Sequence, residues 1–221
     1  MNTQVSTQRI EPEVYQGQFG EFTITQGDRR GVIIYRTALM VAALCFAIGT
    51  TLVLWQSNHS ILVVLTLLYT GFSVALAVSL LTIHIYMAPL HRALQIFWGI
   101  GAIAALVVAH GSEEPFALTI YTHPETLLGI GFMFVALTGL FFKEAFCFDR
   151  LETKFLTLLI PVLLLGHLFG ILPVIAERAL LAAWAMLFVI FALRKTFQPI
   201  PADIGDKSVF AYLHQQRSSH A

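Results

Sequence analysis

Charge is scarce in this chain: Asp, Glu, Lys and Arg make up 12% of its 221 residues and hydrophobic types 57%, where a soluble domain carries about 25% charged residues. That balance excludes an ordinary water-soluble domain and places the chain in a bilayer. Thirteen basic side chains stand against thirteen acidic ones, and the basic ones are scattered. The electrostatic footprint of a nucleic-acid binder is therefore missing, and no nucleic-acid partner is expected. Cysteine is almost absent. Cys45 lies in an apolar run and Cys147 in a charged segment, too few for a disulfide framework and without the spacing of a metal knuckle. The first 30 residues are polar and hold no apolar core behind a basic head. No cleavable signal peptide is expected, and the first span should act as its own insertion signal. HExxH, a carboxylate-rich prenyl-diphosphate motif and a Walker loop are all lacking, so no catalytic residue or metal ligand set is assigned.

What is present in quantity is long apolar runs. A helix needs about 20 apolar residues to cross the hydrocarbon core. Six charge-free stretches approach that length: Thr37–Trp55, Ile61–Ile83, Ala93–Ala109, Thr126–Phe142, Phe155–Ile175 and Ala179–Leu193. The shorter ones are extended by flanking side chains such as Arg92, Lys143, Arg178 and Arg194, which snorkel to the interface. The expected fold is all-α, a polytopic bundle of about six transmembrane helices spanning residues 37–193, with an N-terminal arm (1–36) and a C-terminal tail (194–221).

Positively charged loops stay in the cytoplasm. Arg29, Arg30 and Arg36 precede the first span, Arg92 lies between the second and third, Lys143, Arg150 and Lys154 between the fourth and fifth, and Arg194 and Lys195 follow the sixth. All of these fall on one side. The opposite loops, QSNHS and HGSEEPFALTIYTHPE, have neither Lys nor Arg, and Ala176-Glu177-Arg178 adds one Arg. Both termini are expected to be cytoplasmic. Within the arm, VYQGQFGEFTIT suggests a short hairpin, and in the tail Asp206 would cap a short helix presenting Val209, Phe210 and Leu213.

Small residues at four-residue spacing, Gly166/Gly170, Gly101/Ala105 and Ala38/Ala42, predict tight helix crossings. Pro161 and Pro173 predict kinks in the fifth span. His167 lies between them, and counting inward at about 1.5 Å per residue puts it near the bilayer centre. Two readings stand. A neutral imidazole needs only hydrogen-bond partners, which carbonyls freed by the prolines supply. Alternatively His167 ligates a chlorophyll magnesium or haem iron, with Gly166 and Gly170 letting a flat macrocycle approach. No Asp, Glu, Lys or Arg interrupts a span as drawn, which argues against proton-coupled transport. His110, His123, Glu113, Glu114 and Glu125 have suitable ligand chemistry but no short repeated spacing, and read as a solvated polar loop.

The most charged segment is GLFFKEAFCFDRLETK, Gly139 to Lys154. In it Lys143, Glu144, Asp149 and Arg150 are interleaved with Phe146, Cys147 and Phe148. It reads either as a solvated interfacial loop or as a docking edge whose aromatics anchor and whose charges select a partner. Together with HIYMAPLHRALQIFW, His84 to Trp98, it resembles a family of uncharacterised integral membrane proteins found mainly in cyanobacteria and plastids. The resemblance implies about six helices, a photosynthetic thylakoid or plasma membrane and no assigned activity. It carries over no functional residue. The resulting expectation is a non-catalytic accessory or assembly factor of a photosystem-like complex, with a chlorophyll-type pigment at His167 as an option. A transporter or channel for a small neutral solute is the alternative.

Overall fold

The computed structural model describes residues 13–55 and 59–219. The first twelve residues of the arm, positions 56–58 of the QSNHS loop and the last two residues lie outside the described ones. The chain opens with a hairpin, β1 (Val14–Gly17) and β2 (Gly20–Thr23), and continues as helices α1 (Gln26–Trp55), α2 (His59–Thr82), α3 (Ala88–Gly111), α4 (Phe116–Thr122), α5 (Leu127–Phe148), α6 (Leu151–Leu168), α7 (Val174–Phe197), α8 (Ile200–Ile204) and α9 (Ser208–Ser219). Six of these, α1, α2, α3, α5, α6 and α7, are long and apolar enough to cross a membrane. They are apolar around most of their circumference, as lipid-facing helices must be.

The helix ends follow from local chemistry. Thr25 and Asp28 cap α1 reciprocally: the Thr25 backbone N–H donates to Asp28 Oδ2 at 2.8 Å and the Asp28 N–H to Thr25 Oγ1 at 3.2 Å. This starts α1 eleven residues before the apolar run, carrying Tyr35 and Arg36 inside the helix. Asp149, at φ 50°, takes the left-handed position that ends α5.

The fifth span differs from expectation. It ends at Leu168, and the segment to Pro173 is a turn rather than a kinked continuation. Gly170 sits at φ 62°, its N–H donating to the His167 carbonyl at 3.0 Å while Ile171 donates to Gly166 at 2.9 Å. That is the Schellman pattern, with a proline placed just beyond it. Pro161, by contrast, is accommodated inside α6.

The six long helices form a ring in chain order, α1 against α2, α3 against α5, α5 against α6, α6 against α7, and α7 back against α1, with a lighter α2–α3 contact. α5 supplies the most buried face: Ile130, Met133, Leu137, Leu140, Phe141 and Glu144 recur at three- and four-residue intervals and point inward. Gly101 lets α3 approach the backbone of α5 at Met133, where a Cβ would collide with the amide. Ala38, Ala42 and Ala105 are buried at crossings as well. At Gly166 the nearest atoms belong to the Leu172 side chain from the following turn rather than to another helix. Phe46, Phe72, Phe134, Trp184 and Phe188 fill the centre with tilted, stacked and edge-on ring contacts.

Both tails fold onto one end of the bundle. Tyr15 and Phe22 pair across the hairpin and stack at 5.6 Å; with Ile24, Val32, Ile200 and Ile204 they make a small second core. Asp206 and Ser208 grip the hairpin tip, accepting from the Gln18 N–H at 2.6 Å and the Phe19 N–H at 3.0 Å. Phe19 stacks on Tyr212 at 4.0 Å. This terminal end also carries the α2–α3 and α5–α6 turns. At the far end the polar loop between α3 and α5 is only partly solvated: its middle forms α4, which buries Phe116 and Thr119 against the bundle.

Candidate functional site

His167 occupies the last turn of α6, at the far end of the bundle and not at its centre. An unbroken apolar run to Ile175 makes it look central, but the helix stops at the Gly170 turn. The imidazole Nδ1 lies 2.7 Å from Glu177 Oε1 in the first turn of α7. The ring stacks on Tyr121 at 5.0 Å. Nε2 is enclosed and has no hydrogen-bond partner among the described residues. Leu172 lies over Gly166, and Gly170 is taken up by the turn.

The terminal end holds what the span boundaries concealed: a group of ions inside the helices. Lys195, on the last turn of α7, is fully buried and bridges Glu144 Oε2 at 2.6 Å and Asp203. Arg36 donates Nε to Asp203 Oδ2 at 2.7 Å, Nη1 to the Gln198 carbonyl at 2.6 Å and Nη2 to that of Pro199 at 3.0 Å. Tyr35 and Lys143 both reach Glu144 Oε1, at 3.2 and 2.9 Å. The ammonium of Lys195 also lies 4.3 Å from the Phe148 ring centroid. The spans as drawn stay free of charge, and the ions sit in the helical turns just outside them, before Thr37 and after Phe142 and Leu193. Carboxylates and cations there are stable because each has several partners, the condition for burying charge.

The segment from Lys143 to Arg150 is correspondingly not a loop. Lys143 to Phe148 form the end of α5, and only Asp149 and Arg150 link it to α6. Glu144 is fully buried and Lys143 and Arg150 are mostly covered. Phe146, Cys147 and Asp149 remain exposed, and Phe148 packs beneath Lys143, Arg150 and Lys195. The hydrogen bond from Lys154 holds the Asp149 carboxyl below its ordinary range.

Gln198 and Asp203 carry no signal in the sequence, and Arg36 reads there only as part of the basic flank of the first span. A signal for the inward ions did exist. Lys143-Glu144 and Arg194-Lys195 are adjacent charges on helices, where neighbours point about 100° apart, and Glu144 continues the apolar stripe of Leu137, Leu140 and Phe141.

Beside this network lies a cleft of about 610 Å³, walled by the α2–α3 turn, the end of α5 and the α8–α9 segment. Its lining is apolar apart from His84, Tyr86, Lys143, Cys147 and Asp203. Burial lowers the His84 pKa, keeping the ring neutral, and Lys143 and Lys207 add to that while Asp28 and Asp203 oppose it. His91 is separate, its Nε2 lying 2.6 Å from the Leu80 carbonyl. At the far end His123 pairs with Glu125 at 3.1 Å. Among the described residues no group of three or more His, Cys, Asp or Glu is arranged to hold a metal ion.

A family model described as "Uncharacterized integral membrane protein (DUF2301)" matches residues 78–212, from the end of α2 into α9. No curated protein and no solved structure matches the chain.

Proposed function

The chain belongs to the DUF2301 family of integral membrane proteins, and on that premise we propose that it is a non-catalytic accessory or assembly factor of a larger membrane complex. In the fullest form of this reading the complex is photosynthetic, in a cyanobacterial thylakoid or plasma membrane, and both tails face the cytoplasm, as the distribution of Lys and Arg implies. One observation carries the reading. The centre of the bundle is filled by interlocked aromatic rings, while the terminal end is an ordered cap bordered by accessible aromatics and charges. Phe146 and Phe197 are both 83% exposed there, and Cys147, Asp149 and Lys154 are exposed at the same end. Exposed aromatics supply binding energy and flanking charges supply selectivity.

The pigment option rests on His167 alone. A carboxylate on Nδ1 is how ligating imidazoles are oriented, but Nε2 is enclosed, so an occupant there requires its surroundings to move.

Affinity purification of the tagged protein in mild detergent tests the proposal. Subunits of a larger membrane complex should co-purify, and Lys154→Glu, which sets two carboxylates side by side at the exposed edge, should release them without lowering thermal stability. A solitary protein that conducts a neutral solute in liposomes would overturn the reading in favour of a transporter. Stoichiometric pigment absorbance that disappears in His167→Ala would establish the pigment option; a colourless preparation would remove it.

A further inference from the structure

We propose that the cleft at the terminal end binds one anionic membrane lipid, its acyl chain among Ile85, Leu90, Phe142 and Phe210 and its headgroup against Lys143. Size is the first support: about 610 Å³ falls within the roughly 300–1,000 Å³ range of small-molecule sites. Position is the second. The end of α5 belongs to a membrane-crossing helix, and Met87 and Phe142, which line the cleft, are 62% and 55% exposed. The apolar lining is thus continuous with the lipid-facing flank, and a chain can enter sideways from the bilayer. Charge is the third. Arg36 and Lys195 match Glu144 and Asp203 one for one, so the Asp203 carboxylate in the cleft wall is already neutralised. Lys143 is a further cation on Glu144, and Arg150 and Arg194 both lie on the single carboxylate Glu152. This end therefore has cations in excess of its buried carboxylates, and Lys143 is the one that lines the cleft. Basic pockets at helix ends hold anionic headgroups by the same complementarity. His84, kept neutral by burial, adds a hydrogen-bonding group without adding charge. A neutral lipid gains only the apolar part of these contacts.

Cys147 lines the cleft and reports its occupancy. The full-length Cys45→Ser protein is placed in mixed micelles of neutral detergent with either phosphatidylcholine alone or phosphatidylcholine plus phosphatidylglycerol, and N-ethylmaleimide labelling of Cys147 is timed. With phosphatidylglycerol in about tenfold excess over its dissociation constant, labelling should slow about tenfold. The slowing should vanish in Lys143→Gln, return in Lys143→Arg, and be absent from Met87→Trp, whose larger side chain fills the entrance without touching the ion network. Equal labelling rates in the two micelles, or slowing that persists in Lys143→Gln or Met87→Trp, would each overturn the proposal.

Discussion

At Lys195 a single ammonium serves two carboxylates from different segments, Glu144 on α5 and Asp203 on α8, and all three groups are buried. Removing one member leaves the others desolvated and unmatched, which costs about 3–5 kcal/mol for a buried pair. Lys195→Met should therefore lower the midpoint of thermal unfolding in detergent markedly, and Glu144→Gln added to it should restore part of the loss. An additive double variant would show that the pair does not couple. His84 makes a second residue-scale prediction. Its folded pKa lies below the ordinary 6.5 because of burial, so the unfolded chain binds the proton more readily. The stability it contributes is fully present above pH 6.5 and is lost as pH falls through the folded pKa. Unfolding midpoints measured from about pH 7.5 down to 5.5 should fall less in His84→Asn than in the parent.

Among the elements, crossings and ends make separate claims. Gly101→Val sets a branched side chain against the α5 backbone at Met133. Overpacking of this kind costs about 1–3 kcal/mol and should separate α3 from α5. Gly170→Ala forces a left-handed alanine, costing about 1–2 kcal/mol, and should loosen the turn that brings His167 to Glu177; retention of parental stability would contradict the Schellman assignment. The six crossing helices were legible in the sequence because length and hydropathy act locally, and Gly101, Ala105, Ala38 and Ala42 announced their crossings by spacing. The end of α6 was legible too, in Gly170 followed by Pro173, but an unbroken apolar run masked it. The ion network was not, because its bonds are tertiary. Arg36 and Asp203 are 167 positions apart, and spans drawn to stop at charged residues exclude by construction the ions that helices carry inward.

For the molecule as a whole, the consequence is polarity between two ends. The far end has the short helix α4, held by Phe116 and Thr119, and the His167–Glu177 contact. The terminal end has the hairpin, the tail, the ion network and the cleft, tied together where Asp206 and Ser208 hold the hairpin tip. Asp206→Ala removes the acceptor for Gln18 and Ser208 and should make the tail a faster protease substrate while the six-helix core stays intact. The role proposed for this protein depends on which compartment that end meets. The most direct test is labelling of Cys147 in the Cys45→Ser protein with a membrane-impermeant maleimide, in right-side-out and in inverted membrane vesicles. Labelling confined to inverted vesicles is the predicted result; labelling of right-side-out vesicles would put the cap and its docking edge in the wrong compartment and contradict the account.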